Sequence, residues 1–156
     1  MKVRIITLFA IITTMVSCNT TKKTDSATQN NADTEVEKDN VITDKYWKLV
    51  TLEGKAVTMV EGQEREVFLT LKSHDKTVNG FAGCNSFSGD YTLEDGNRIK
   101  FGTIATTMKA CDGVVTEHTF LQVLDQADNY TIVNDELSLN VGRRTPLAVF
   151  KAVYMK

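Results

Sequence analysis

The side chains able to carry covalent or acid–base chemistry are few: three cysteines, Cys18, Cys84 and Cys111, and two histidines, His74 and His118. A thiol enzyme needs a thiolate with a base beside it. Neither histidine adjoins a cysteine in the chain. His74 lies in the polar run Lys72-Ser73-His74-Asp75-Lys76 and His118 follows Glu117 at the start of a helical pattern, so both are expected to face solvent. Two cysteines with scattered histidines match no zinc-ligand spacing, so no metal and no cofactor is expected. A Cys/His thiol enzyme is therefore the weakest of the functional readings.

The densest cluster is Gly80-Phe81-Ala82-Gly83-Cys84-Asn85-Ser86-Phe87-Ser88-Gly89-Asp90-Tyr91. Glycines permit positive φ and close approach of another strand, and Asn85 can bridge backbone groups that a tight bend leaves unpaired. An anion-cradling loop would need the Lys and Ser or Thr of a P-loop and a helix opening after it, and this segment has neither. The expected role is a structural bend. In an exported domain Cys84 and Cys111 can oxidise to one bridge, which for a loop of this length would contribute roughly 3 to 4 kcal/mol. The alternative is two separate buried thiols, because a free cysteine packs as a small hydrophobe.

Export is written at the start of the chain. Lys2 and Arg4 precede an apolar stretch from Ile5 to Val16, and Ser17-Cys18 follow, which is the layout of a secretory signal. The stretch holds about twelve residues where a spanning helix needs roughly twenty, so residues 1–17 are read as a cleaved signal rather than an anchor. Met15-Val16-Ser17-Cys18 resembles the lipobox of bacterial lipoproteins, with Met15 in the place where Leu is usual; the resemblance implies a diacylglycerol on Cys18 and cleavage before it. Two or more acyl chains, palmitate among them, hold a protein stably on a membrane where one holds only marginally. The formal net charge of −2 becomes −4 once Lys2 and Arg4 leave, and Lys22-Lys23 and Arg143-Arg144 form no basic patch. Nucleic acid is not an expected partner.

Residues 18–44 follow as a lipidated Cys and a tether. From Asn19 to Asp44 there is no aromatic residue, Gly or Pro, and only Val36, Val41 and Ile42 are sizeable apolar side chains, so little offsets the entropy of ordering. A flexible coil of about 26 residues reaches roughly 25 to 30 Å. Residues 45–156 then form a single domain, since the chain is too short for two.

Within it, strands are signalled by Tyr46-Trp47-Lys48-Leu49-Val50-Thr51-Leu52, by Glu66–Leu71, by Asp90–Leu93 and Arg98–Phe101 across Asp95-Gly96, by Tyr130–Val133 and Glu136–Leu139 across Asn134-Asp135, and by Leu147–Val153. Trp47, the only tryptophan, is expected in the core. Pro146 precedes the last run, where a missing donor does least harm. Phe120, Leu121, Val123, Leu124 and Ala127 repeat at three and four residues, predicting a helix over about 117–128 with Thr116 as N-cap and a Val115–Phe120 staple.

Gly80-Phe81-Ala82-Gly83-Cys84-Asn85 through Gly89-Asp90-Tyr91, then Thr106-Thr107-Met108-Lys109-Ala110-Cys111, with Trp47-Lys48-Leu49 upstream, resemble the META domain family, also called HslJ-like. The family's second motif has a basic residue between Thr and Met; here Thr107-Met108 lacks it and Lys109 comes one place later. The resemblance covers the whole folded domain. It implies a mainly β, α+β fold, a curled antiparallel barrel-like sheet with one helix, in which Gly80, Gly83, Asn85, Gly89, Tyr91, Thr107 and Met108 are structural motif residues and none is catalytic. It also implies occurrence in envelope and secreted proteins and a link, by name, to heat-shock response.

The function expected is that of a monomeric, non-enzymatic lipoprotein of the bacterial cell envelope, held to the membrane through lipid on Cys18, its domain in the periplasm or outside the cell. There it would bind a protein or small molecule or serve during stress. The alternative from another class is an inhibitor of an extracellular hydrolase, a lysozyme or protease, with the loop from Val57 to Glu66 entering the cleft.

Overall fold

The computed structural model describes residues 41–114 and 116–154. The expected signal peptide, Cys18, nearly all of the expected tether, and Val115 with its expected staple lie outside the described residues. The chain divides into a unit over Met1–Asn30, outside that range, and one over Asn31–Lys156, which contains everything below.

Ten strands and one helix follow in order: β1 (Tyr46–Leu52), β2 (Lys55–Ala56), β3 (Phe68–Leu71), β4 (Thr77–Phe81), β5 (Ser86–Glu94), β6 (Arg98–Phe101), β7 (Ala105–Thr106), α1 (Thr116–Gln126), β8 (Asn129–Val133), β9 (Glu136–Asn140) and β10 (Ala148–Val153). Eight of the strands close an antiparallel barrel in the order β1-β3-β4-β5-β6-β8-β9-β10, with β10 returning to β1. The short β2 and β7 are appended to β1 and β5. Closure removes the open edges that an antiparallel sheet would otherwise present.

Alternation along the strands decides which side chains meet inside. Leu69 and Leu71 of β3, Val78 of β4, Phe87 and Tyr91 of β5, Ile99 and Phe101 of β6, Leu137 and Leu139 of β9, and Phe150 of β10 are all buried. In β1 the period changes. Leu49 pairs with Phe150 but Thr51 pairs with Val149, so an extra residue bulges at Val50 and returns Leu52, rather than Thr51, to the core. Trp47 is completely buried, as its isolation in the first strand implies, and its indole N–H donates to the Ile42 carbonyl at 2.8 Å.

That bond draws the chain before β1 into the fold. Ile42 is buried, the Asp44 N–H donates to the Leu71 carbonyl at 2.8 Å, and the Ser73 N–H donates to the Asp44 carboxylate at 3.1 Å. Composition assigns these residues to the tether, yet the burial of Ile42 and these three hydrogen bonds hold them to the fold.

The barrel is thinnest between β6 and β8, where only Arg98 and Asn129 are paired in register. Helix α1 supplies the missing wall. It buries Phe120, Val123 and Leu124, and the Phe120 ring meets Phe87 of β5 edge-on at 5.7 Å and Phe150 of β10 at 6.1 Å. One aromatic side chain thus spans the interior between two non-adjacent strands, and the core is filled by side chains. The helix ends at Gln126, two residues earlier than the periodicity predicts, because the Asp128 N–H turns to the Asn140 carbonyl at 3.0 Å. Thr116, expected as the cap, is the first helical residue.

Candidate functional site

The glycine-rich segment is a hairpin rather than an open bend. β4 ends at Phe81, β5 begins at Ser86, and the four residues between them turn through an Ala82 N–H to Asn85 carbonyl bond of 2.8 Å. Gly83 takes φ 117° there, a conformation that side chains resist. Strand β4 and the first half of β5 are therefore longer than sequence patterning indicates. Gly80 explains why its own strand is hard to see. A Cβ at that position would lie 2.2 Å from the Phe68 carbonyl oxygen and 2.5 Å from the Phe87 ring, so the glycine is required inside a regular ladder. Gly89 is required for a related reason, since its Cβ would meet Ile104 Cδ1 at 2.6 Å and the Thr103 carbonyl at 2.7 Å where the β6–β7 connection crosses β5.

Asn85 is the centre of a polar knot. It is 5 % exposed, and each side-chain polar atom is used twice. Its Nδ2 donates to the Lys109 carbonyl at 3.2 Å and to Glu117 Oε1 at 2.9 Å; its Oδ1 accepts from the Thr107 hydroxyl and from the Lys109 N–H, both at 2.7 Å. Glu117 completes the arrangement from the first turn of α1. Its Oε2 accepts the Asn85 N–H at 2.6 Å and the Cys84 N–H at 3.2 Å. A carboxylate is favoured in that turn by the helix dipole, and here it also satisfies two turn amides. Cys84 and Cys111 are disulfide-bonded across a separation of 27 residues, with Cα atoms 5.8 Å apart. The two motifs and the helix start are thereby fastened at one point. Sequence reasoning missed Glu117; the signal was a buried turn whose amide N–H groups needed an acceptor.

Tyr91 secures the other end of the hairpin. Its buried hydroxyl donates to the Lys72 carbonyl at 2.9 Å, and burial, followed by the charges of Asp44 and Asp75, raises its ionisation above the ordinary phenol range. Met108 stands apart from every other motif residue. The clamp holds Thr107 through its hydroxyl and Lys109 through its backbone, and the Met108 side chain between them is 98 % exposed. On the same loop Lys109 Nζ pairs with Glu64 at 2.9 Å, and that bond and charge hold the Glu64 carboxyl below its usual range. Both partners are exposed, so water screens the pair.

The candidate chemistry is dispersed. Both sulfurs of Cys84 and Cys111 are in the bridge, leaving no thiolate at either motif. His74 is exposed, with Nε2 3.1 Å from the Asp75 carboxylate, and His118 is exposed on α1. Among the described residues no three His, Cys, Asp or Glu side chains are gathered as a metal site. Concavities formed by the described residues lie around the barrel. One of about 590 Å³ covers the outer faces of β3, β4, β5 and β7, another of about 320 Å³ lies between the Leu52–Val60 segment and α1, and a third of about 290 Å³ lies beside the disulfide.

A closed antiparallel barrel, walled by one helix and stapled where a glycine-rich hairpin meets a Thr-Met loop, defines a small β-barrel class with two cysteine-bearing motifs. The sequence profile of the META domain matches residues 40–154, and the chain belongs to the META domain family. Solved structures similar in fold include an NMR structure of a protein from Burkholderia xenovorans, with a TM-score of 0.58 and 22 % identity over 90 % of this chain and 100 % of that one. A second NMR structure has a TM-score of 0.56 and 18 % identity over 70 % of this chain and 90 % of that one. No curated protein matches the sequence.

Proposed function

We propose that this chain is a bacterial envelope lipoprotein, lipidated at Cys18, whose META domain works as a non-catalytic binding module held clear of the membrane. The observation that carries the reading is the consumption of the motif's polar groups by the fold itself. Asn85, Thr107 and Glu117 are committed to one another, and the two motif cysteines to a bridge, so the residues that looked most chemical in the sequence are occupied as scaffold. A filled core directs binding to the outer surface. The short signal-like stretch and the lipobox-like Met15-Val16-Ser17-Cys18 support the location. No helix among the described residues is long and apolar enough to cross a membrane.

Affinity capture from detergent-solubilised membranes, with wild type beside Cys18→Ala, tests the reading. Wild type is expected to fractionate with membranes and enrich a partner or ligand, and the variant to lose the membrane. A protein that enriches nothing at any salt concentration contradicts the binding role.

The hydrolase-inhibitor reading is favoured by one observation. The Val57–Glu66 loop exposes Met59 by half and Val60 by 36 %, apolar side chains suited to a cleft. Absence of inhibition of lysozymes and proteases at about micromolar protein, where a specific inhibitor binds, removes it.

A further inference from the structure

The outer face of β3, β4, β5 and β7 carries side chains that the fold does not use. Register places Thr70 beside Asn79, Asn79 beside Ser88, and Ser88 beside Ala105. Because Leu69, Leu71 and Val78 point inward, this row points outward, and at the usual strand spacing it runs about 14 Å across the sheet. The neighbouring row begins with Phe68, whose ring stacks on Tyr46 at 4.3 Å and 16° and also lines the 590 Å³ groove. Among the described residues the hydroxyls of Thr70, Ser86, Ser88 and Thr106 make no hydrogen bond within the protein. Asn79 uses its amide N–H₂ towards Thr77 at 3.3 Å, while its carbonyl oxygen accepts none. Among the described residues Lys72 is the only charged side chain lining the groove, and it lies in the field of the Asp44 carboxylate.

We propose that this groove is a binding site for a neutral polyhydroxylated ligand, a linear oligosaccharide, with Phe68 as the platform for a sugar ring and the hydroxyl and amide row as its hydrogen-bonding rim. The inference rests on the reading of the domain as a binding module and names what one of its surfaces takes. The chemistry follows from the pairing of surfaces. A sugar ring presents C–H faces that gain by leaving water against an aromatic ring, and a rim of hydroxyls that both donate and accept. Protein hydroxyls match that rim because each can donate or accept as the partner demands, and the Asn79 amide oxygen accepts from a sugar hydroxyl. A strongly anionic ligand would meet only Lys72, and a purely apolar one would leave the hydroxyls without partners.

The test is an NMR titration of the ¹⁵N-labelled full chain with chitotetraose and, separately, with cellotetraose, which distinguish an acetamido-sugar source from a plain hexose source. Tripolyphosphate serves as the charge control. Shifts are expected in the amides of Phe68, Thr70, Asn79 and Ser88 with at least one of the two sugars, at dissociation constants of about 1 mM or tighter. Phe68→Ala is expected to weaken binding at least about tenfold. Ser88→Trp, at an exposed position, is expected to fill the groove and abolish the shifts, with unchanged amide resonances in the barrel core checking that the variant is folded. Shifts with tripolyphosphate alone, shifts that map elsewhere, or binding that survives Ser88→Trp each overturn the proposal. A chain that enriches a protein partner from membranes yet responds to neither sugar overturns this inference and leaves the binding reading standing. One that does neither removes both.

Discussion

Replacing Asn85 by leucine keeps the branching and number of side-chain heavy atoms and deletes the centre of the knot. Four side-chain hydrogen bonds disappear, and one of them is to the Glu117 carboxylate. A neutral bond contributes about 1 kcal/mol net and a charge-assisted one about 1.5 to 3, which gives about 6 kcal/mol as the upper figure. Lys109 and Thr107 are exposed, so water replaces part of what is lost at those partners, and a destabilisation of about 3 to 5 kcal/mol is expected. That is a large fraction of the stability of a domain this size. Urea unfolding with the disulfide intact measures it. At a slope of about 1.5 kcal/mol per molar, the midpoint should fall by about 2 to 3 M. A double-mutant cycle with Glu117→Gln should show coupling of about 1 to 3 kcal/mol, because both residues belong to one network. A loss below about 1 kcal/mol, or strict additivity with Glu117→Gln, would refute the description of the motif as a load-sharing clamp.

Other outcomes follow from single contacts. The double variant Cys84→Ser/Cys111→Ser should lose about 3 to 4 kcal/mol in the same urea assay. Gly80→Ala should destabilise by about 3 kcal/mol or more, since backbone and a core ring stand in the way, whereas Gly96→Ala, with φ 75° and nothing within 4 Å, should lose about 1 kcal/mol. Met108→Ala should change stability by less than about 0.5 kcal/mol in thermal unfolding, as its exposure implies. The Asp128 carboxyl is held below its usual range, first by the Gly142 N–H and then by the Asn129 amide. A depressed carboxyl stabilises above its unfolded pKa of about 3.9 and loses that contribution as pH falls through the folded value, so Asp128→Asn should flatten the acid limb of the stability–pH curve below about pH 4.

The strands that sequence patterning reveals are those built from β-branched and aromatic residues between turn signals: β1, β3, the second half of β5, β6, β8, β9 and β10. The Asn134-Asp135 turn was legible because both residues take positive φ, at 47° and 59°, as a two-residue hairpin requires. Strand β4 was not legible. Gly80 and the polar Thr77 and Asn79 depress its strand character, and what makes Gly80 necessary, the Phe87 ring against it, is a contact between strands. The bulge at Val50 was hidden for a similar reason, since only the pairing with β10 shows it. At the site, Cys84, Cys111 and Asn85 stood out by type and setting. Glu117 did not, because an acid in a first helical turn is common, and its two turn-amide partners lie 32 and 33 residues away. The aromatic platform of Tyr46 and Phe68 escaped notice because each reads as an ordinary strand residue.

Intact-mass analysis of the membrane-extracted protein, alkylated without reduction, tests the proposed lipoprotein most directly. The protein is expected to begin at Cys18, heavier by a diacylglycerol and its acyl chains, with Cys84 and Cys111 joined and no cysteine alkylated. A chain that retains Met1, or one whose Cys18 carries the alkylating group in place of lipid, would contradict it.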